Sequence, residues 1–206
     1  MAHPKRGKQA GILYSKLKRM PFNQCTLIFD KVNDEWTNGK NCLKAYHPAS
    51  DYHVVVQDDA LLTPNFYENL VNAIQGIPEK TLFSLYTGTA RPLPGRVKAA
   101  VERSENGTWL RTHTLMWGVG LAIPVSHIEA MLEFVEEIEL PYDNKIGEFY
   151  TRNGLPVYYT VPSLVDHDDD LDSLIAGHGR DIDYEPRRAH TLATGPIEWR
   201  PVSTFI

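Results

Sequence analysis

Three consecutive valines, Val54 to Val56, run through Gln57 directly into two adjacent aspartates, Asp58 and Asp59. A short apolar run bounded by polar residues reads as a buried strand. Two carboxylates at the end of such a strand are costly, because like charges repel and burial penalises both. Two arrangements relieve the cost: a solvated turn that caps the next segment, or a cation that holds the pair. If the strand continued, the two side chains would point to opposite faces; in a turn they can converge on one ligand.

Other strands end in the same way. "CTLIFD", Cys25 to Asp30, reads as a short buried strand with a terminal aspartate, and "PVYYTVPSLV" leads into Asp166 and His167. "TLFSLYT", Thr81 to Thr87, and the glycine-broken "MWGVGLAIP" are further apolar strands. Helical spacing separates them, first over Gln9 to Lys18. In "TPNFYENLVNAIQGIP", Thr63 is the expected N-cap, Pro64 the first helical residue and Gly76 the stop, with Phe66, Leu70, Val71 and Ile74 on one face. "SHIEAMLEFVEEI" carries Ser126 and Glu129 at capping-box spacing, and "YDNKIGEFYTRNG" reads as a helix ending at Gly154. Arg91 to Leu110 looks like an excursion with a hairpin around "ENGTW", and the chain beyond His167 looks polar and irregular. Helices alternating with short strands predict an α/β fold, a mixed sheet flanked by helices in a single domain over residues 1–206. Ligands in such folds gather at the carboxyl ends of strands, where Asp30, Asp58, Asp59, Asp166 and His167 all fall.

A formal net charge of -5 argues against a generic nucleic-acid coat, although "HPKRGK" and "KLKR" could line a local basic groove. Two cysteines, Cys25 and Cys42, are too few for a disulfide framework and suit a reducing cytoplasm. No apolar run approaches the roughly 18 residues of a membrane span, and no signal peptide opens the sequence. The expectation is a cytoplasmic protein with no membrane partner.

A hard divalent cation, Mg²⁺ or Mn²⁺, takes one or two carboxylates and fills its remaining positions with water and phosphate oxygens. His167, directly after a strand, is a further ligand candidate, imidazole being commoner on Mn²⁺ than on Mg²⁺. The aspartates of "DHDDDLD" that surround it read as a solvated loop.

These residues together resemble the nucleotide-sugar-dependent glycosyltransferases of the GT-A fold, most nearly small bacterial and phage members with "QDD" or "EDD" after an apolar strand. "AHPKR" resembles the loop after the family's first strand, here almost missing, and "IFDK" its second strand with an aspartate near the nucleotide. "WTNGKNCLKAYHPASDYHVVVQDDALL" resembles the approach to the metal motif, "MWGVGLAIP" the strand beside the sugar pocket, "PYDNKIGEFY" the acidic acceptor segment, and "VPSLVDH" the late strand that delivers a histidine. The resemblance implies a nucleotide-sugar half over 1–87 and an acceptor half with the C-terminal tail over 88–206. It implies Asp59 as metal ligand, Asp58 on the ribose or the metal's water shell, and His167 completing the metal site. Asp143 would be the general base, with Glu148 as its competitor; an N-cap role for Asp143 is the alternative. His3, Pro4 and Arg6 would touch the nucleotide or diphosphate and Asp30 the base or ribose, while Trp117 beside Gly118 could stack on a sugar or on a flipped base. The donor would be a nucleoside diphosphate sugar, UDP-linked for preference, used with Mn²⁺ or Mg²⁺. The acceptor would be a hydroxyl, with a 5-hydroxymethyl base of phage DNA and a lipopolysaccharide or other glycan as the candidates. The pattern departs from the family in lacking a residue between the two aspartates and in its short first strand.

Core packing is the competing role for Trp117 and Trp36, and surface solvation for Arg187 and Arg188, which with Arg180 could clamp phosphates. Rival functions are a nucleotidyltransferase or phosphohydrolase, for which no glycine-rich phosphate loop is present, and a non-catalytic nucleotide-binding or interaction domain.

Overall fold

The computed structural model describes residues 1–90, 92–171 and 186–206. Its strands are β1 (Tyr52–Val56), β2 (Ala60–Leu62), β3 (Phe83–Ser84), β4 (Thr108–Thr112), β5 (Gly120–Pro124), β6 (Val157–Val161), β7 (Val165–His167) and β8 (Ser203–Phe205). Its helices are α1 (Gly7–Leu17), α2 (Glu35–Lys44), α3 (Phe66–Gly76), α4 (Pro94–Arg103), α5 (Val125–Phe134) and α6 (Tyr142–Arg152). A sheet in the order β1-β5-β3-β6-β4-β8 is mixed, with β3/β6 and β4/β8 parallel and the other pairs antiparallel.

Both faces of this sheet are covered, so its inner strands are apolar almost throughout. The two-residue period of a strand divides them between two cores. Leu121, Ile123, Val157, Tyr159 and Leu110 join the core under α2, α4, α5 and α6. Ala122, Tyr158 and Trp109 join the one under α1, α3 and the C-terminal segment. The expected α/β architecture of helices on a mixed sheet is therefore present.

Several local expectations are corrected. Residues 25–30 form no strand beyond one parallel bridge between Phe29 and Ala2. The Ala2 N–H donates to the Ile28 carbonyl, its carbonyl accepts from the Asp30 N–H, and the Met1 amine donates to Val56 O at 2.9 Å. Thr63 does not cap α3: its hydroxyl donates to the Leu164 carbonyl, and Asn65, at φ 55°, precedes the helix. Ser126 lies inside α5, which starts where β5 ends at Pro124. Asp143 is not an N-cap either, because Pro141 occupies that position. No hairpin forms around "ENGTW": Gly107, at φ +78°, turns α4 into β4, whose partners β6 and β8 are distant in sequence. The tail after residue 185 is not uniformly polar, since Ala193, Ile197 and Trp199 are buried and the Trp199 indole donates to the Asn69 carbonyl.

β2 and β7 form a separate antiparallel ribbon beyond the end of β1. Its register sets His167 opposite Ala60, one residue past Asp59.

Candidate active site

The chain leaves β1 through a turn in which the Ala60 N–H donates to the Gln57 carbonyl. Asp58 and Asp59 are the two central residues of that turn, so their carboxylates converge instead of alternating. Arg6 is what they converge on. Its Nη1 donates to Asp58 Oδ1 at 3.0 Å and to Asp59 Oδ2 at 2.7 Å. The other Asp58 oxygen accepts from the His3 N–H at 2.7 Å. All three charged residues are buried, Arg6 at 8%, Asp58 at 9% and Asp59 at 8% exposure, so this is a desolvated ion cluster and not a solvated turn.

The β2–β7 ribbon brings in His167, whose Nε2 lies 3.4 Å from Asp59 Oδ2. The Asp168 N–H fixes this approach by donating to the Asp59 carbonyl at 2.7 Å. Burial pushes the Asp59 carboxyl up, but His167 and Arg6 outweigh it and hold the group below its ordinary value. Arg6 is shifted the opposite way: burial disfavours its charge, and the two aspartates more than restore it.

Two buried polar atoms in this cluster, Asp59 Oδ1 and His167 Nδ1, have no hydrogen-bond partner among the described residues. No cluster of three or more acidic, histidine or cysteine ligands is present among them either. One open carboxylate oxygen beside an imidazole fits a hard cation that brings its own phosphate oxygens and water, and not a cage made wholly of protein.

Asp143 stands against Gly118, beside the side chain of Gln57 at the start of that turn. Gly118 makes this possible: a Cβ there would lie 3.0 Å from the Asp143 Cβ and 3.5 Å from the Gln57 amide nitrogen. Half-buried Asp143 has its carboxyl pushed up by desolvation, partly offset by backbone N–H groups including that of Asn144. Glu35, in the first turn of α2, is raised by burial and then by the neighbouring charges of Asp143 and Asp34. Two carboxyls whose ionised form burial disfavours thus stand near Asp59, which is shifted the other way.

The remaining sequence candidates are distributed differently. Glu148 is engaged by Arg152 one turn along α6. Asp30 Oδ1 accepts the Val32 and Asp34 N–H groups and so closes the turn into α2. His3 Nδ1 accepts from the Lys5 N–H and caps the short turn begun by Pro4, while its Nε2 lies 3.3 Å from Asn33 Oδ1. Trp117 is half-buried between the two cores, edge-on to Tyr86 and Tyr159. Trp36 lies under Lys145, whose ammonium is 4.4 Å from its ring centroid. The acidic run after β7 is not simply solvated. Asp166 Oδ1 accepts from the Ala189 N–H, Arg187 lies 3.5 Å from Asp169, and Arg188 donates to the His167 carbonyl. Arg180 lies outside the described residues.

Glu35 and Gln57 escape a reading of the sequence. Asp34, whose carboxylate accepts the Thr37 N–H, marks the start of α2 and was the signal that would have placed Glu35 on it. Gln57 carries none, because only the turn brings it to Gly118. No known family model matches the chain, and no curated protein matches it.

Proposed function

We propose that this protein is a glycosyltransferase that moves a sugar from a nucleoside diphosphate sugar to an acceptor hydroxyl. The observation that supports it best is the meeting of Arg6, Asp58, Asp59 and His167 with Asp143 around one strand-terminal turn. Charge builds on the leaving diphosphate as the anomeric bond breaks, so the site needs fixed positive charge close to it. Arg6 offsets part of the negative charge of the acidic pair in this dry setting, so that the pair repels a diphosphate less. A Mn²⁺ or Mg²⁺ ion, held by the open Asp59 oxygen and His167, would add Lewis-acid neutralisation of the same oxygens.

Asp143 is assigned the base. It takes the proton of the acceptor hydroxyl as that oxygen bonds to the anomeric carbon, and the diphosphate departs with the electrons of the broken bond. A carboxyl with a raised pKa is the better proton acceptor near neutral pH. The acceptor assigned is a hydroxymethylated base in DNA, because no acidic residue precedes Asp30 and Lys5, Lys8, Lys16, Lys18 and Arg19 are exposed along α1 and its flanks.

Thermal unfolding with UDP, GDP and CMP, each with and without Mn²⁺, tests the donor side. A ligand of the folded state raises stability by mass action. One nucleoside diphosphate is expected to raise Tm, and to raise it further with Mn²⁺. No shift with any of them at millimolar concentration sinks the assignment.

A further inference from the structure

Between β1 and the segment Asn23–Ile28 lies a cavity of about 410 Å³. It is bordered on one side by the unbroken run Asp51–Val56 and on the other by Asn23–Ile28. β1 pairs only with β5 among the described residues, and its outer edge is met at one end alone, where the Met1 amine donates to Val56 O. Opposite, the Ile28 carbonyl and the Asp30 N–H are satisfied by Ala2, while no backbone hydrogen bond joins Gln24–Leu27 to the sheet among the described residues. β1 and Gln24–Leu27 thus border the cavity from two sides with backbone groups left outside the sheet ladder, and Met1–Ala2 enters between the two runs only at one end.

The dimensions are those of a strand. Where Ala2 sits, the flanking runs are one intervening strand apart, roughly 10 Å by the usual spacing. Alongside Tyr52–Val55 the open length is about 13 Å at the usual rise per residue. Above the gap stand Leu13, Leu70 and Ile74; below it stand Cys42 and Ala45. Alternate residues of an inserted strand would therefore meet an apolar surface on either side, as in any two-faced sheet.

We propose that this gap is a strand site, and that it receives an extended segment of about four residues joined to the amino side of Met1 in the same polypeptide. The direction follows from Met1–Ala2, which already runs parallel to Phe29 between the two edges. Carrying that backbone backwards leads into the cavity between the two runs. The inserted residues are apolar on both faces, extended and without proline, since proline would forfeit a ladder bond. The site stands apart from the glycosyltransferase reading, because its test reads main-chain protection and not transfer.

Two extensions of equal length placed before Met1, one of four valines and one of glycine and serine, separate the outcomes. The valine extension is expected to slow amide exchange at Thr26, Ile28, Val54 and Val56, whose N–H groups face the gap, on the order of tenfold or more, and to raise Tm. The glycine-serine extension should leave both unchanged. Equal exchange in the two proteins overturns the proposal. The second measurement is the intact mass of the protein isolated from its native source. A mass that includes residues ahead of Met1 supports the proposal. A chain starting at Met1 overturns it, even if the valine extension protects, because the gap then belongs to a separate polypeptide or to none.

Discussion

Arg6 decides how the acidic pair is read. Two adjacent buried carboxylates without a counter-charge are not sustainable, and the guanidinium bridges one oxygen of each. Arg6→Ala leaves two uncompensated buried charges, and breaking a buried pair costs about 3–5 kcal/mol. Urea unfolding of Arg6→Ala, Asp59→Asn and the double variant is expected to show strong non-additivity, the double being less destabilised than the sum. Additive losses would mean that the three groups do not act as one cluster. The pH dependence has a definite sign. Asp59 is held below its ordinary value near 3.8, so its contribution is fully present above that value and is lost as pH falls through the folded value. Asp59→Asn should therefore flatten the acid limb of the stability curve below about pH 4. Asp143 behaves in the opposite sense, because its folded carboxyl is raised and its ionised form is disfavoured by burial. Asp143→Asn is expected to raise Tm at pH 8 while lowering transfer about 10²–10⁴-fold, and the gain in Tm should vanish as pH falls below the ordinary carboxylate range. Unchanged transfer in that variant removes Asp143 from the base role.

At the level of elements, the α2–α6 contact sets where Glu35 and Asp143 stand. Gly39 of α2 lies against the buried Tyr142 ring, and a Cβ there would fall 2.1 Å from the ring's Cδ2. Gly39→Ala must push the helices apart or displace that ring. Overpacking of this kind costs about 1–3 kcal/mol, or about 2–4 °C of Tm per kcal/mol at this chain length. Scanning calorimetry should show the loss, and a Tm equal to that of the parent would mean the ring relaxes without strain. Helix α2 also shows where sequence reading ended. Its apolar face is short, with Cys42 and Leu43 buried and Glu35, Lys40 and Lys44 charged, so tertiary packing and not periodicity defines it. By contrast α3 and α6 were legible within a few residues because their apolar spacing matches one period throughout, and β1 because its short apolar run is bounded by polar residues. Asp58, Asp59 and His167 were legible as strand-end residues. Arg6 was named only as a nucleotide contact, since no local pattern says that a residue 52 positions earlier will bridge the pair. The two-residue β3 was overestimated because Thr81–Thr87 is buried throughout, and burial without alternation does not fix where a ladder ends.

For the molecule as a whole, charge is distributed unevenly, and the distribution bears on the acceptor. The chain carries 26 acidic and 21 basic residues, yet its first 29 residues hold no acid at all. α1 therefore presents a cationic stretch on a protein that is otherwise negative. A polyanionic acceptor would be drawn to that stretch and held off by the rest, so affinity should be modest and strongly salt-dependent. Log affinity for duplex DNA falls with log salt at a slope of about 0.9 per phosphate neutralised. Replacing Lys5, Lys8 and Lys16 one at a time with Ala is expected to lower that slope by about one unit for each residue that contacts phosphate. The folded state should be indifferent, since all three side chains are exposed. Fluorescence anisotropy of labelled DNA between 50 and 200 mM salt, roughly the range over which such contacts dominate, gives the slopes directly. Slopes unchanged in all three variants would detach DNA from α1 and turn the search for the acceptor toward uncharged glycans, while leaving the donor chemistry of the Arg6 cluster untouched.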